Sequence, residues 1–154
     1  MKNFQQKSVD DYKKDRKIKA PSVSDYMVRK LITYQPDTPI SEVIESLLSN
    51  RITGAPVLNE KKEVVGLIDD KDCLNVLVGA AYYNRPVNDY TVAACMSNVM
   101  KTISIHADII DVANTFLTTP YKRLLVMDDD EKLAGQISRR DILRAIKDMN
   151  SHKK

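Results

Sequence analysis

The 154-residue sequence predicts a mixed α/β (α+β) fold of two β-α-β-β-α repeats packed about a pseudo-two-fold axis. Two observations carry that expectation. The chain matches itself at a spacing of 69 residues, so that 22–78 align with 91–147 without a gap. Eleven of those positions are identical, among them Val23/Val92, Ile40/Ile109, Val57/Val126, Gly66/Gly135, Ile68/Ile137 and Asp72/Asp141. Each copy also runs in the same order, a helix-period stretch followed by two short apolar runs about a charged turn. A unit of this kind leaves one apolar face uncovered, and two copies packed together are the fewest that hide it.

The elements follow in order. A tail over 1–20 holds seven Lys/Arg against three Asp. Repeat one occupies 21–78, a linker 79–90, and repeat two 91–150. Each repeat opens with a short helical turn, Val23–Val28 or Val92–Asn98, and a brief strand, Ile32–Tyr34 or Thr102–Ile105. An amphipathic helix comes next, its buried face Ile40, Val43, Ile44, Leu47 and Leu48 at i, i+3, i+4, i+7 and i+8. Thr38-Pro39 supplies its N-cap and first-turn proline. The twin face is Ile109, Val112, Ala113, Phe116 and Leu117. Hairpins at 56–68 and 124–137 follow, each with a charged turn. Closing helices run from Asp70 to Ala81 and from Ser138 to Met149.

Composition sets the class. With 43% hydrophobic and 29% charged residues the chain is too apolar for disorder, and four Gly with six Pro exclude collagen-like sequence. The longest nearly apolar run, Val76–Tyr83, is far short of the ~20 residues that span a bilayer. The polar start offers no secretory core, so a soluble, cytoplasmic protein is expected. The net charge of +3 lies in the tail, since the remaining chain has 17 basic and 18 acidic groups. That distribution describes a docking or solubilising tail and argues against a nucleic-acid groove. Cys73, Cys95, His106 and His152 match no metal-ligand spacing, and no catalytic motif occurs. The run Asp128-Asp129-Asp130-Glu131 lacks the glycine and spacing of a calcium loop and reads as a solvated turn.

The residues Gly54-Ala55-Pro56-Val57, Gly66-Leu67-Ile68-Asp69-Asp70-Lys71-Asp72 and Gly135-Gln136-Ile137-Ser138-Arg139-Arg140-Asp141 resemble the CBS domain family. In tandem they resemble a Bateman module, over about residues 20–150. Ser138 and Asp141 by themselves form a capping box. The same helix start presents free N–H groups that suit a phosphate, with a serine hydroxyl as donor. The carboxylate has two oxygens for adjacent ribose hydroxyls. The resemblance assigns those roles to Ser138 and Asp141 in a site for an adenine nucleotide. Lys122 and Arg123 point to opposite faces of a strand, so one of them turns towards the cleft between the repeats. The resemblance makes them phosphate contacts. Arg139 and Arg140 oppose the helix dipole, a cost that a bound anion relieves.

By resemblance the adenine slot lies at Thr102-Ile103-Ser104, flanked by Met100, Leu124 and Ile137. Repeat one departs from the pattern, with Asp69 in place of the serine and no cation beside Gly54. A weaker second site is therefore expected at Asp72, Thr33, Gly54, Ala55 and Pro56. The family implies a non-enzymatic regulatory module that senses AMP, ADP or ATP, forms a homodimer and signals to a separate protein. It needs no cofactor or metal. The tail and the linker tyrosines Tyr82, Tyr83 and Tyr90 are candidates for that protein contact. The alternative is a ligand-free dimerisation module in which Ser138 and Asp141 only cap a helix.

Overall fold

A computed structural model describes residues 19–151. The basic tail before Lys19 and His152 lie outside the described residues. Repeat one contains helix α1 (Ile40–Asn50), strands β1 (Gly54–Leu58) and β2 (Val64–Asp69), and helix α2 (Asp70–Tyr83). After the short helix α3 (Val92–Cys95), repeat two contains β3 (Thr102–Ser104), α4 (Ile109–Thr118), β4 (Arg123–Met127), β5 (Leu133–Ser138) and α5 (Arg139–Ser151). One sheet is the antiparallel pair β1-β2. The other has the order β3-β4-β5, with β3 parallel and β5 antiparallel to β4.

The strand expected at Ile32–Tyr34 shrinks to a single bridge between Tyr34 and Val57. Tyr34 makes two ladder bonds, to Pro56 O and from Leu58 N. In repeat two the next rung comes from Ile105 N to Met127 O. Its counterpart is Pro36, which has no N–H to give. The expected cap of α1 also moves. Pro39 occupies the N-cap position, while the Thr38 hydroxyl accepts from Gln35 N at 3.2 Å. The first amide of α1 is satisfied by Tyr90 O at 3.0 Å. In α4 the equivalent position is Asp108, which forms a full capping box with Asp111. Helix α2 runs on through Tyr83 and closes with a left-handed Asn84, so the linker is shorter than its composition suggests.

The opening segments are exchanged. Val23 and Met27 precede repeat one in sequence but pack into the core of repeat two, with Ile109, Val112, Leu124 and Ile137. Val92 and Met96 precede repeat two and pack against Ile40, Val57 and Ile68 of repeat one. Matching bridges pin the crossings, Val28 to Gln136 and Ser97 to Leu67. Both crossings pass over a glycine. A Cβ on Gly135 would lie 2.8 Å from Val28 O, and one on Gly66 would lie 2.9 Å from Ser97 O. The repeats are thus laced together, and neither core is complete without a segment of the other.

Candidate functional site

Gly54 and Arg123 are equivalent positions of the two repeats, and they meet where the repeats face each other. The Arg123 side chain leaves β4, crosses to repeat one and lies on Gly54, where a Cβ would collide with its Nη1. Its Nη2 donates to Thr53 Oγ1 at 2.8 Å. Burial pulls the guanidinium below its usual pKa, and the carboxylates of Asp69 and Asp70 oppose that pull. Repeat one therefore has a cation beside its strand after all, supplied by the other repeat. Only Arg123 lies on the strand, half-buried in the cleft; Lys122 stands in the bend before it and is exposed, so its direction does not follow from strand alternation.

The two closing helices begin differently. At α2 the amide of Asp70 is taken by Thr53 O, that of Lys71 by the Asp70 carboxylate, and that of Asp72 by Asp69 Oδ1. Asp72 Oδ2 accepts from Asp69 N at 3.0 Å, completing the box. At α5 the carboxylate of Asp141 is buried. It accepts from Ser138 N at 2.8 Å and from Ser138 Oγ at 3.1 Å. The Ser138 hydroxyl thus donates to the carboxylate, and only half of the expected box forms. Among the described residues no side chain accepts from the amides of Arg139, Arg140 or Asp141, whereas carboxylates take those of Lys71 and Asp72. Both arginine side chains are exposed at this end.

Sequence reasoning missed Arg144. Its Nη2 pairs with Asp141 Oδ1 and donates to Tyr26 O at 3.3 Å, tying the carboxylate to the exchanged opening segment. The i,i+3 spacing of acid and arginine was the available signal. Asn75 stands at the equivalent place in repeat one. There Asp72 has Asp69 and Asp70 as neighbours, and burial, ahead of those charges, pushes its carboxyl up to about 6.

The cleft contains a cavity of about 180 Å³ on the side of repeat one, lined by Lys30, Ile32, Ile52, Gly54, Pro56 and Gln136. Gly54 and Pro56 of the expected second site line it. Ala55 faces the core of repeat one, and Thr33 and Asp72 are not among the lining residues. The slot expected in repeat two is divided. Thr102 pairs with Leu125, but Ser104 pairs with Met127, at the far end of the strands from the Arg123–Ser138 pair. Thr102, Ile103 and Ser104 line an open groove of about 420 Å³ with Asp128 and Glu131. Leu124 and Ile137 are fully buried in the core and offer a ligand no surface.

The remaining candidates take structural places. Asp128 Oδ1 closes the β4-β5 turn by accepting from Asp130 N and Lys132 N at 2.9 Å, as Asn59 closes the β1-β2 turn. His106 Nε2 lies 2.8 Å from Asp129 Oδ1 on the surface. Cys73 and Cys95 are half-buried, and burial pushes the Cys73 thiol up to about 11. Among the described residues no His/Cys/Asp/Glu cluster is placed to hold a metal ion, and no helix is long and apolar enough to cross a membrane. Tyr82 and Tyr83 are exposed at the end of α2 and meet edge-to-face at 5.0 Å, while Tyr90 lies under Arg85.

The CBS domain family matches residues 23–79 and again residues 88–148, most of the chain. The chloroplastic CBS domain-containing protein CBSX1 of Arabidopsis thaliana is 30% identical over 149 residues, covering 80% of this chain and 63% of that protein. Protein MJ1225 of Methanocaldococcus jannaschii is 27% identical, covering 80% of this chain and 42% of that protein. The match thus spans only part of these relatives' length. Among solved structures, CBSX2 in complex with AMP superposes with a TM-score of 0.73 at 26% identity, covering 84% of this chain and 98% of that one.

Proposed function

The chain belongs to the CBS domain family and carries two copies in tandem, and from that premise we propose that it is a regulatory module responding to an adenine nucleotide bound between its repeats. The observation that carries this reading is the unequal pair of helix starts. Carboxylates take the amides of Lys71 and Asp72 at the start of α2, whereas among the described residues no side chain accepts from those of Arg139, Arg140 and Asp141 beside the Ser138 hydroxyl. A phosphate seated there meets backbone donors and the positive end of the helix dipole. Arg123 and Lys122 add charge from the neighbouring strand start, which is in register with Ser138. Asp141 takes the ribose hydroxyls once Arg144 releases it.

That exchange is the signalling step in this proposal. Arg144 also holds Tyr26 O, so freeing it loosens the segment that repeat one lends to repeat two. A ligand shifts the balance of two arrangements only by its differential affinity for them, and ribose against arginine on one carboxylate supplies the difference. The output passes to a separate protein, with a homodimer as the working unit.

Thermal unfolding with AMP, ADP and ATP tests the reading. A ligand at 100 times its Kd adds about 2.7 kcal/mol, a shift of several degrees for a chain of this size. We expect a shift with one of the three that disappears in Arg123→Ala and in Asp141→Ala. No shift with any of them sinks the proposal. One observation favours the ligand-free reading in that event: Ser138 and Arg144 already satisfy both oxygens of Asp141.

A further inference from the structure

Gln136 is out of place as a wall residue. It belongs to β5 of repeat two, yet it lines the 180 Å³ cavity of repeat one, opposite Gly54, Pro56 and Ile32. Its backbone is fixed by paired bonds to Val28, at 2.8 and 3.0 Å. Its side-chain oxygen is buried and has no hydrogen-bond partner. A buried carbonyl without a donor forfeits the hydrogen bonds it would make in water. The equivalent residue of repeat one is Leu67, so the fold accepts an apolar side chain at this place in the strand. An amide here costs stability in the empty site, and a ligand's hydrogen-bonding edge would recover it.

We infer that Gln136 reads the 6-amino edge of a purine seated in the repeat-one cavity, and so sets the preference of the module for adenine over 6-oxo bases. The inference rests on the nucleotide reading above and names the side of the cleft that takes the base. A carboxamide offers a donor and an acceptor side by side, the complement of the amino group and ring nitrogen on that edge of adenine. The edge read is that of the 6-amino group and N7, where a 6-oxo purine presents two acceptors, O6 and N7, and leaves the amide oxygen unmatched. The terminal torsion of a glutamine is soft, so a partial turn presents its oxygen and its NH2 edge-on to the cavity. From this seat the nucleotide passes over Gly54, where the Arg123 guanidinium lies, and on to Ser138, the register partner of Arg123. The Arg123 guanidinium and the Gln136 amide thus reach the ligand at repeat one from repeat two, beside Lys30 of repeat one.

The experiment is calorimetric titration of wild-type protein, Gln136→Leu and the near-isosteric Gln136→Met with adenosine monophosphate and with inosine monophosphate. A bidentate amide contact is worth about a ten- to hundred-fold preference. We expect the wild type to favour the amino base by that factor. Both variants should lose it through weaker binding of adenosine monophosphate, with inosine monophosphate unchanged. A preference that survives in the variants, or a wild type that binds both equally, overturns the role of Gln136 and leaves the nucleotide reading standing. Binding of neither overturns both. Two variants guard against a single failure to fold.

Discussion

Asp72 and Asp141 occupy the same place in two repeats and meet different neighbours. Arg144 and Ser138 surround Asp141, while Asp72 faces Asp69 and Asp70. Burial, more than those charges, raises the Asp72 carboxyl from 3.8 to about 6. A carboxyl whose folded pKa is raised holds its proton longer in the native state. Its contribution is therefore present at pH below 3.8 and lost as pH climbs to about 6. Asp72→Asn keeps an oxygen for the Asp69 amide and removes the charge. Its denaturation midpoint should exceed that of the wild type at about pH 7 and converge with it below about pH 4. An equal difference at both pH values would show that the charge is not the cause. The identity of both aspartates was plain in the sequence, because they stand 69 residues apart. Their partners were not, since Arg123 reaches Thr53 across 70 residues that no local pattern connects.

The opening segments carry a second test. Each crosses a strand at a glycine, and the obstruction in each case is a methionine sulfur together with a backbone carbonyl, the second of which cannot swing aside. Gly135→Ala would push Val28 O away and weaken both the Val28–Gln136 bridge and the seat of Met27. Overpacking of this kind costs about 1–3 kcal/mol, to be read by urea denaturation. Gly79, inside α2 and with only Tyr90 Oη at 3.9 Å, serves as the control, and Gly79→Ala should gain up to about 1 kcal/mol. Equal effects at the two sites would refute the packing argument. Gly66 and Gly135 were visible as identical repeat positions, but the sequence assigned Val23–Val28 to its neighbour in the chain. The exchange follows from two sheets that each have one uncovered edge, a demand of packing that chain order does not reveal.

Across the molecule, matched leucines remain uncovered. Leu48, Leu74 and Leu77 of repeat one are 74%, 63% and 59% exposed, and their equivalents Leu117, Leu143 and Ile146 are 85%, 65% and 46% exposed. They lie on α1, α2, α4 and α5, the four long helices, and those of repeat one border an apolar groove of about 500 Å³. Isolated exposed leucines need no explanation, but a set repeated at equivalent positions of both repeats is the face the proposed homodimer would bury. In the proposed homodimer a second copy of the chain would cover this face, because a pseudo-two-fold face can match itself. Sedimentation equilibrium should show a dimer, and Leu74→Glu combined with Leu143→Glu should give a folded monomer. A monomeric wild type would remove the homodimer from the proposal.

The repeat spacing, the helix faces and the glycine positions determine the two-repeat fold before any coordinate is known. Hydrophobic periodicity reports which side of each element must be buried, and duplication reports that the buried sides face one another. The candidate anion group Ser138, Asp141, Lys122 and Arg123 was legible too, because helix caps and strand starts are local chemistry. Which repeat donates to which pocket was not. The cation beside Gly54, the arginine closing Asp141 and the glutamine in the wall of the cavity all arrive from elsewhere in space. Their roles depend on how two cores lace together, and that is settled by packing across the pseudo-two-fold axis, where residues far apart in the chain first meet.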